Sequence, residues 1–456
     1  MSSGSVSWRF RFLYGFYCHG ARLRFWFGQR IRPAGICAIF VTTLASFMCV
    51  GQPKNSIFQL FCLSFGLVIL ALIWASLRRA KVTAEIKAPK YATVGEELRY
   101  TVQLSQTHRH TQRSLRLRQL PPDPRPSLLE FSQVKEPCED QRNPYDRAMA
   151  YYRWRWLISR HRSFTSEESD PTFDLPSGKM ITIPMTLTAQ KRGVYLLDHL
   201  RLLLPDPLGF FQKSIPLSPP PARLIALPKR YALPHIEMPG SSAFRIGGEE
   251  TSNSIGNSGE FVGLREYRPG DSLRQIHWKS WAHTGKPMVK ELEDTFYPRY
   301  ALILDTFPGS NDRRIFEEMI SIAASFIVSL DRHEALLDLM FIADDAHMIT
   351  AGRGLERTEK LLEVLAAVQV EPIPRFDVLT STVIKHQDHI TSCLLVLNGW
   401  DDERMEWVKK IKNNGIPIVP MIVGKGEPPK SIQGYWIDSD NVARDLMRLP
   451  AQLSGT

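Results

Sequence analysis

Residues 259–305 read GEFVGLREYRPGDSLRQIHWKSWAHTGKPMVKELEDTFYPRYALILD. In Arg268-Pro269-Gly270-Asp271 the proline ring fixes φ at the first corner of a reversal, and glycine accepts the positive φ that a type II turn needs at the second. Asp271 or Ser272 then offers an oxygen to the free N–H groups of a short helix expected over 273–282, with Leu273, Ile276 and Ser280 on one face. Gly285 stops it. Beyond, 288–293 alternates and 300–304 is almost wholly apolar, the patterns of an edge strand and then a buried one. The stretch predicts a turn and helix mounted on a sheet.

On the C-terminal side, strands at 301–305, 336–342, 392–397 and 416–423 alternate with helices at 313–331, 356–368, 402–411 and 441–449. Such alternation argues a doubly wound α/β sheet over 300–450, with any ligand at the carboxyl ends of its strands. On the N-terminal side, short strands at 82–86, 98–104, 115–120, 181–187, 200–204 and 224–227 are parted by Pro and Gly turns, which indicates a β-sandwich over 80–230. A linker, 231–258, joins the two. No GK[ST] follows its glycines Gly247, Gly248 and Gly256, so a phosphate loop is unsupported.

Within the sandwich, 132–179 reads as a polar, irregular insertion. It is broken by Tyr151-Tyr152-Arg153-Trp154-Arg155-Trp156-Leu157, where rings and cations alternate. A half-exposed strand near an anionic membrane surface is one reading, and a single-stranded nucleic-acid platform is the other.

With 456 residues the chain is long enough for two or three domains. Its six cysteines show no CxxC spacing, which fits neither a zinc site nor a disulfide framework and suits a reducing compartment. The net charge of +10 is compatible with nucleic acid or with a membrane surface, so the location of the cations matters. Residues 1–33 hold six arginines among aromatic rings and no acid, a composition suited to the headgroup layer. Uncharged runs follow at 34–51 and 56–77, each near the roughly 20 residues that cross a bilayer. Two transmembrane helices over 34–77 are expected, a cleaved signal peptide being the alternative for the first run. Arg78, Arg79 and Lys81 follow the second run, while the connection 52–55 carries one lysine. Both flanks are therefore expected in the cytosol, with the soluble domains anchored there by the two helices.

The order G-E-F-x-G-L-R-E-Y-x-P-G-D-x-x-R-x-I-H-W-K resembles the signature of the bacterial domain of unknown function 58 family. Arg192-Gly193-Val194-Tyr195 and the following LLDHLRLLLPDPLGFF are similar to the same family's second motif, so the resemblance covers about 80–450. It implies an immunoglobulin- or fibronectin-like sandwich, a von Willebrand factor type A-like α/β domain and partnership with a MoxR-type AAA+ ATPase.

Type A domains often hold Mg²⁺ through D-x-S-x-S after the first strand, because a hard cation needs several converging oxygens. Here Asp305 keeps the carboxylate, but Phe307 and Gly309 stand at the serine positions. Thr306 and Ser310 supply oxygen only in a shifted loop register, and Asn398 or Asp401 is the further donor of this degenerate site, so no cofactor is expected. The signature itself supplies a partner- or anion-binding candidate in Arg265, Tyr267, Arg268, Gly270, Asp271, Arg274, His277, Trp278 and Lys279. The bland alternative is a structural knot in which Arg265 and Arg274 pair with Glu266 and Asp271, and Tyr267 and Trp278 pack at a domain junction. An acid–base pair of Asp271 and His277, in a hydrolase or transferase, is the third reading. No HExxH, GxSxG or Cys-centred triad supports it. The function expected is a non-enzymatic membrane adaptor for assembly or maturation of complexes or the cell envelope, with other envelope proteins as further partners.

Overall fold

The computed structural model describes residues 7–49, 56–106, 111–234 apart from 138 and 170, 236, 238–239, 260–293, 299–309, 313–331, 336–343, 345–351, 355–387, 390–429 and 432–450. Most of the expected linker, the connection 52–55 and Ser310 lie outside them. The chain divides into two units, Met1–Lys229 and Arg230–Thr456.

The first unit opens with helices α1 (Trp8–Gly28), α2 (Pro33–Met48) and α3 (Ser56–Leu77). Pro33 sits in the first turn of α2, where its missing N–H costs nothing. With 22 residues, none charged and most of them apolar, α3 is about 33 Å long, enough to cross a bilayer. The 16 residues of α2 reach only about 24 Å. The expectation of two full spans is therefore corrected: among the described residues one helix, α3, is long and apolar enough.

Eleven strands follow: β1 (Val82–Lys87), β2 (Tyr91–Thr93), β3 (Glu97–Gln106), β4 (Gln112–Gln119), β5 (Phe164–Ser166), β6 (Phe173–Leu175), β7 (Met180–Ala189), β8 (Gly193–Leu197), β9 (Leu200–Pro205), β10 (Gln212–Leu217) and β11 (Ala222–Leu227). They form sheets in the orders β1-β3-β7-β5, β10-β9-β4-β6 and β2-β11-β8. Period-2 burial in β3 and β7 sends Tyr100, Val102, Leu104, Ile183, Met185 and Leu187 inward, and all three sheets contribute to one apolar core.

The insertion departs from the sequence reading. Helix α4 (Leu128–Gln133) leads into it and it carries α5 (Pro144–Met149) and α6 (Tyr151–His161), so the ring-and-cation segment is helical, not a strand. Arg153, Trp154 and Leu157 are its buried residues, a helical spacing hidden under the ring-cation alternation. Arg153 donates to both Glu139 oxygens and to the Phe131 carbonyl, which removes it from any nucleic-acid platform. Leu13 and Tyr17 of α1 pack on Phe131, Ala150, Trp154 and Leu157.

The second family-like motif forms the joint between helices and sheets. In the turn after β9, the Asp206 N–H donates to the Phe211 carbonyl, the Asp206 carbonyl accepts the Gly209 N–H, and Gly209 takes φ +72°. Arg32 N–H donates to the Phe210 carbonyl, and Ile31 bridges Phe211. A Cβ on Gly35 would lie 2.1 Å from that carbonyl, so only glycine allows α2 to approach. Phe211 packs with Ala71 and Ala75 of α3, while Lys213 Nζ caps the end of α3 at the Ser76 and Arg78 carbonyls, 2.8 Å each.

The second unit holds β12 (Glu260–Glu266), α7 (Trp278–Thr284), β13 (Met288–Glu293), β14 (Arg299–Leu304), α8 (Arg313–Asp331), β15 (Leu336–Ala343), β16 (Asp345–Ala351), α9 (Leu355–Ala367), α10 (Phe376–Lys385), β17 (Ser392–Asn398), α11 (Asp402–Asn413), β18 (Ile418–Gly424), β19 (Tyr435–Asp438) and α12 (Val442–Met447). Its six-stranded sheet has the order β16-β15-β14-β17-β18-β19, parallel throughout except for β16. Strands β17 and β18 are buried at every residue, as parallel strands covered on both faces must be. One expectation fails here. β13 is not an edge of this sheet but pairs with β12 in a separate two-stranded one.

Candidate functional site

Two places in the second unit gather the residues singled out by sequence. The first is the switch point of the sheet, where β14 is flanked by β15 on one side and β17 on the other. In open α/β sheets ligands enter at the strands' carboxyl ends here. Asp305 follows β14 and is fully buried. Its Oδ1 accepts the Phe307 N–H at 3.0 Å, and its Oδ2 accepts the Asn398 N–H at 3.0 Å and Arg404 Nε at 2.6 Å.

Arg404, 2% exposed, also donates to the Asp401 carboxylate, and reaches the Phe307 and Pro308 carbonyls at 3.4 Å. Burial pulls its pKa down, but the Asp305 and Asp401 carboxylates more than compensate and the net shift is upward. A guanidinium thus sits between two of the carboxylates that the sequence offered to a divalent cation. Asp401 is doubly used, since it caps α11 by accepting the Arg404 N–H at 2.9 Å.

The serine positions are closed as well. Phe307 is fully buried, with its ring edge-on to Phe376 at 4.6 Å, and a Cβ on Gly309 would lie 2.1 Å from the Asn398 carbonyl. Asn398 Nδ2 donates to the Phe307 carbonyl at 3.0 Å. The carboxylates at this point do not fit Mg²⁺, because Asp305 and Asp401 answer to Arg404 and to backbone N–H groups, and the buried Asn398 Oδ1, which has no hydrogen-bond partner among the described residues, is one oxygen where a hard cation needs several. Arg404 was missed in the sequence reading. The Asp401-x-x-Arg404 pattern at the start of a helix was the available signal.

The second place is the signature hairpin. Gly270 adopts φ +111°, and the Asp271 N–H closes the turn on the Arg268 carbonyl at 3.0 Å. Asp271 accepts Arg265 Nη1 and Nη2 at 2.6 and 2.7 Å, and the Arg268 N–H at 2.8 Å. The Arg265 hydrogen bonds, with that of Arg268 behind them, hold its carboxyl down at about 2. Asp271 therefore locks the turn and does not cap a helix.

The expected helix over 273–282 is split. Leu273–Gln275 makes one 3-10 turn, Ile276 bridges Val289, and the His277 N–H donates to the Met288 carbonyl at 2.8 Å. Pairing with β13 takes the backbone bonds that a continuous helix would have used, so α7 begins only at Trp278. It ends on Gly285 at φ +72°.

The remaining candidates separate into held and presented. His277 Nδ1 lies 2.7 Å from Ser280 Oγ, and Asp271 is engaged with Arg265, so the structure gives the acid–base pair no shared geometry. Glu266 pairs with Lys286 at 2.8 Å and not with Arg265 or Arg274. Tyr267 is partly buried, its N–H donating to the Pro287 carbonyl. Trp278 is not packed at a junction. It is 63% exposed and stacked on Trp281, with centroids 5.3 Å apart, and Leu273 is 66% exposed. Arg268, Arg274, Lys279 and His283 are exposed along the same segment. Aromatic and apolar side chains among cations suit a partner surface that is acidic and partly apolar.

A family model described as Protein of unknown function DUF58 matches residues 263–389, from β12 to just beyond α10. The match takes in the hairpin and Asp305 but stops short of Asn398 and Arg404. Uncharacterized protein YeaD of Bacillus subtilis (strain 168) is 29% identical over 116 residues, 25% of this chain and 28% of that protein, so the chain spans well under a third of this relative. Among solved structures, proximal thread matrix protein 1 from the mussel byssus is 14% identical with a TM-score of 0.22, covering 28% of this chain and 36% of that one. AvmM, described as catalyzing macrocyclization in alchivemycin A biosynthesis, is 14% identical with a TM-score of 0.15, covering 32% and 92%. TM-scores this low assign no fold.

Proposed function

We propose that this protein is a non-enzymatic adaptor of a bacterial inner membrane that docks a partner protein through residues 268–283. The observation that carries this reading is the exposed Trp278, stacked on a half-buried Trp281, on the same short segment as the exposed Leu273, Arg268, Arg274 and Lys279. Exposed tryptophan and arginine are the residues that most often dominate binding energy in protein interfaces. The nearby Arg265–Asp271 pair acts as a strut that fixes the turn on which they stand.

We read the first unit as an immunoglobulin- or fibronectin-like sandwich and the second as a von Willebrand factor type A-like domain whose metal site has been replaced by Arg404. The parallel order of the sheet and the place of Asp305 after β14 support the latter. α3 is the anchor, α2 packs beside it, and the cations flanking the pair favour soluble units on the cytosolic side. The family resemblance suggests a MoxR-type AAA+ ATPase as the docked partner, with other envelope proteins as clients.

The test is recovery of partners from membranes with the tagged full chain under ATP-loaded conditions. Wild type is expected to retain an AAA+ ATPase that Leu273→Ala/Trp278→Ala loses. Recovery that is equal for both chains would remove the patch from the reading, and absence of any such ATPase would remove the partner.

A further inference from the structure

α1 presents two different faces. At about 100° per residue, Leu13, Tyr14, Tyr17 and Ala21 fall on one side, and this is the side packed on α4 and α6. On the other, Trp8, Phe12, Phe16, Leu23 and Trp26 lie within an arc of about 80°. They are 77, 67, 62, 43 and 44% exposed. A stripe of four aromatic rings and a leucine some five turns long is far more apolar surface than a water-facing helix carries.

Two further observations say what covers it. Arg11 and Arg22 are exposed along one flank of the stripe, and no acidic residue occurs before Glu85; the carboxylate that Arg22 feels, Asp123, is already paired with Arg125, so the flank keeps a cationic excess. The end of α1 also leads through residues 29–32 directly into α2. The bonds of Arg32 to Phe210 and of Gln212 to Arg30 fix that elbow beside the point where α3 ends at Lys213. The start of α2 and the end of α3 are thus held at one level, and α1 departs from it.

We propose that α1 lies in the lipid–water interface of an anionic membrane. Its Trp8, Phe12, Phe16, Leu23 and Trp26 stripe enters the boundary between headgroups and acyl chains, and Arg11 and Arg22 take lipid phosphates. The helix then serves as a lateral float: α4 and α6, packed on its other face, are held over the membrane surface, which sets how the first unit sits on its anchor. The proposal rests on the membrane-anchor reading but adds a second, sideways contact.

The experiment uses the full chain in phosphatidylcholine–phosphatidylglycerol vesicles, with or without bromine on the acyl chains near the headgroups. Tryptophan emission is compared among wild type, Trp8→Phe/Trp26→Phe and Trp74→Phe, which lies in α3. The emission lost in the double variant is expected to be quenched roughly twofold by brominated lipid. Quenching of the Trp74 share alone overturns the proposal and leaves the anchor standing. Quenching of neither share overturns both. Emission from Trp8 and Trp26 that is blue-shifted yet unquenched means protein covers the stripe, which also overturns it. Pure phosphatidylcholine should weaken the Trp8 and Trp26 quenching, as should Arg11→Gln/Arg22→Gln in the mixed vesicles; unchanged values remove the arginines from the contact.

Discussion

Two of the aspartate–arginine pairs in the second unit, each with an N–O distance of 2.6 Å, do opposite things. Asp305–Arg404 is sealed at the switch point of the sheet, with side chains 0 and 2% exposed. Asp271–Arg265 stands on the hairpin with its arginine 37% exposed, and holds a turn beside exposed Leu273 and Trp278. In the first, the place where this fold class binds ligands has been filled from within. In the second, nothing is enclosed and the chemistry faces outward. A charge pair therefore reports a function only together with what surrounds it.

The largest effect that bears on this contrast is expected from Arg404→Met. Removing the guanidinium leaves the Asp305 carboxylate buried and unpaired, which costs about 3–5 kcal/mol. The checking measurement is the denaturation midpoint of the second unit, and Asp305→Asn/Arg404→Met should recover part of the loss. A midpoint unchanged by the single substitution would mean the switch point is not sealed, and the contrast would break.

Next in size is the hairpin. Leu273→Ala/Trp278→Ala should lower partner affinity by roughly 30-fold or more, as loss of a hot spot does, while shifting stability by no more than about 0.5 kcal/mol. A fall in melting temperature comparable to that of Arg404→Met would reassign these side chains to packing.

A smaller effect follows from titration. The folded Asp271 carboxyl sits at about 2, below an unfolded value near about 3.9, so its pairing with Arg265 stabilises above that unfolded value and fades as pH falls toward 2. Asp271→Asn should flatten that part of the stability profile between pH 4 and 2 measured by urea titration. An identical profile in the variant would show that Arg265 gains nothing from the charge. The smallest expected effect is none at all: millimolar Mg²⁺ should leave the melting temperature where it is, and a rise of several degrees would reopen the switch point as a cation site.

Much of the second unit was legible as pattern. The apolar runs of β14, β17 and β18 and the amphipathic α8 and α11 follow directly from residue order. α10 was not. Its Val378, Thr380, Thr382, Val383 and Ile384 favour extended backbone, yet Leu379 and Val383, four apart, are buried in the core that includes Trp407. β16 was missed because its polar–apolar alternation from Asp345 to Met348 slips at the adjacent Met348 and Ile349, and it is held by antiparallel pairing to β15. In the insertion the alternation of rings and cations suggested a strand, whereas burial of Arg153, Trp154 and Leu157 against α1 selected a helix. At the signature, Gly270 and Gly285 were readable because a positive φ leaves few choices of residue. The split of the helix was not, since it depends on Ile276 and His277 finding β13.

The sequence by itself determined where the chain is apolar, where it turns and where its cations lie, because those properties belong to single residues and their near neighbours. It thereby set the long apolar helix α3, the strand-rich first unit, the alternating second unit and the carboxylates to watch. Only the tertiary structure decided what each carboxylate meets. Asp305 finds Arg404 from 99 positions away, and a buried charge is governed by whichever opposite charge the fold brings to it.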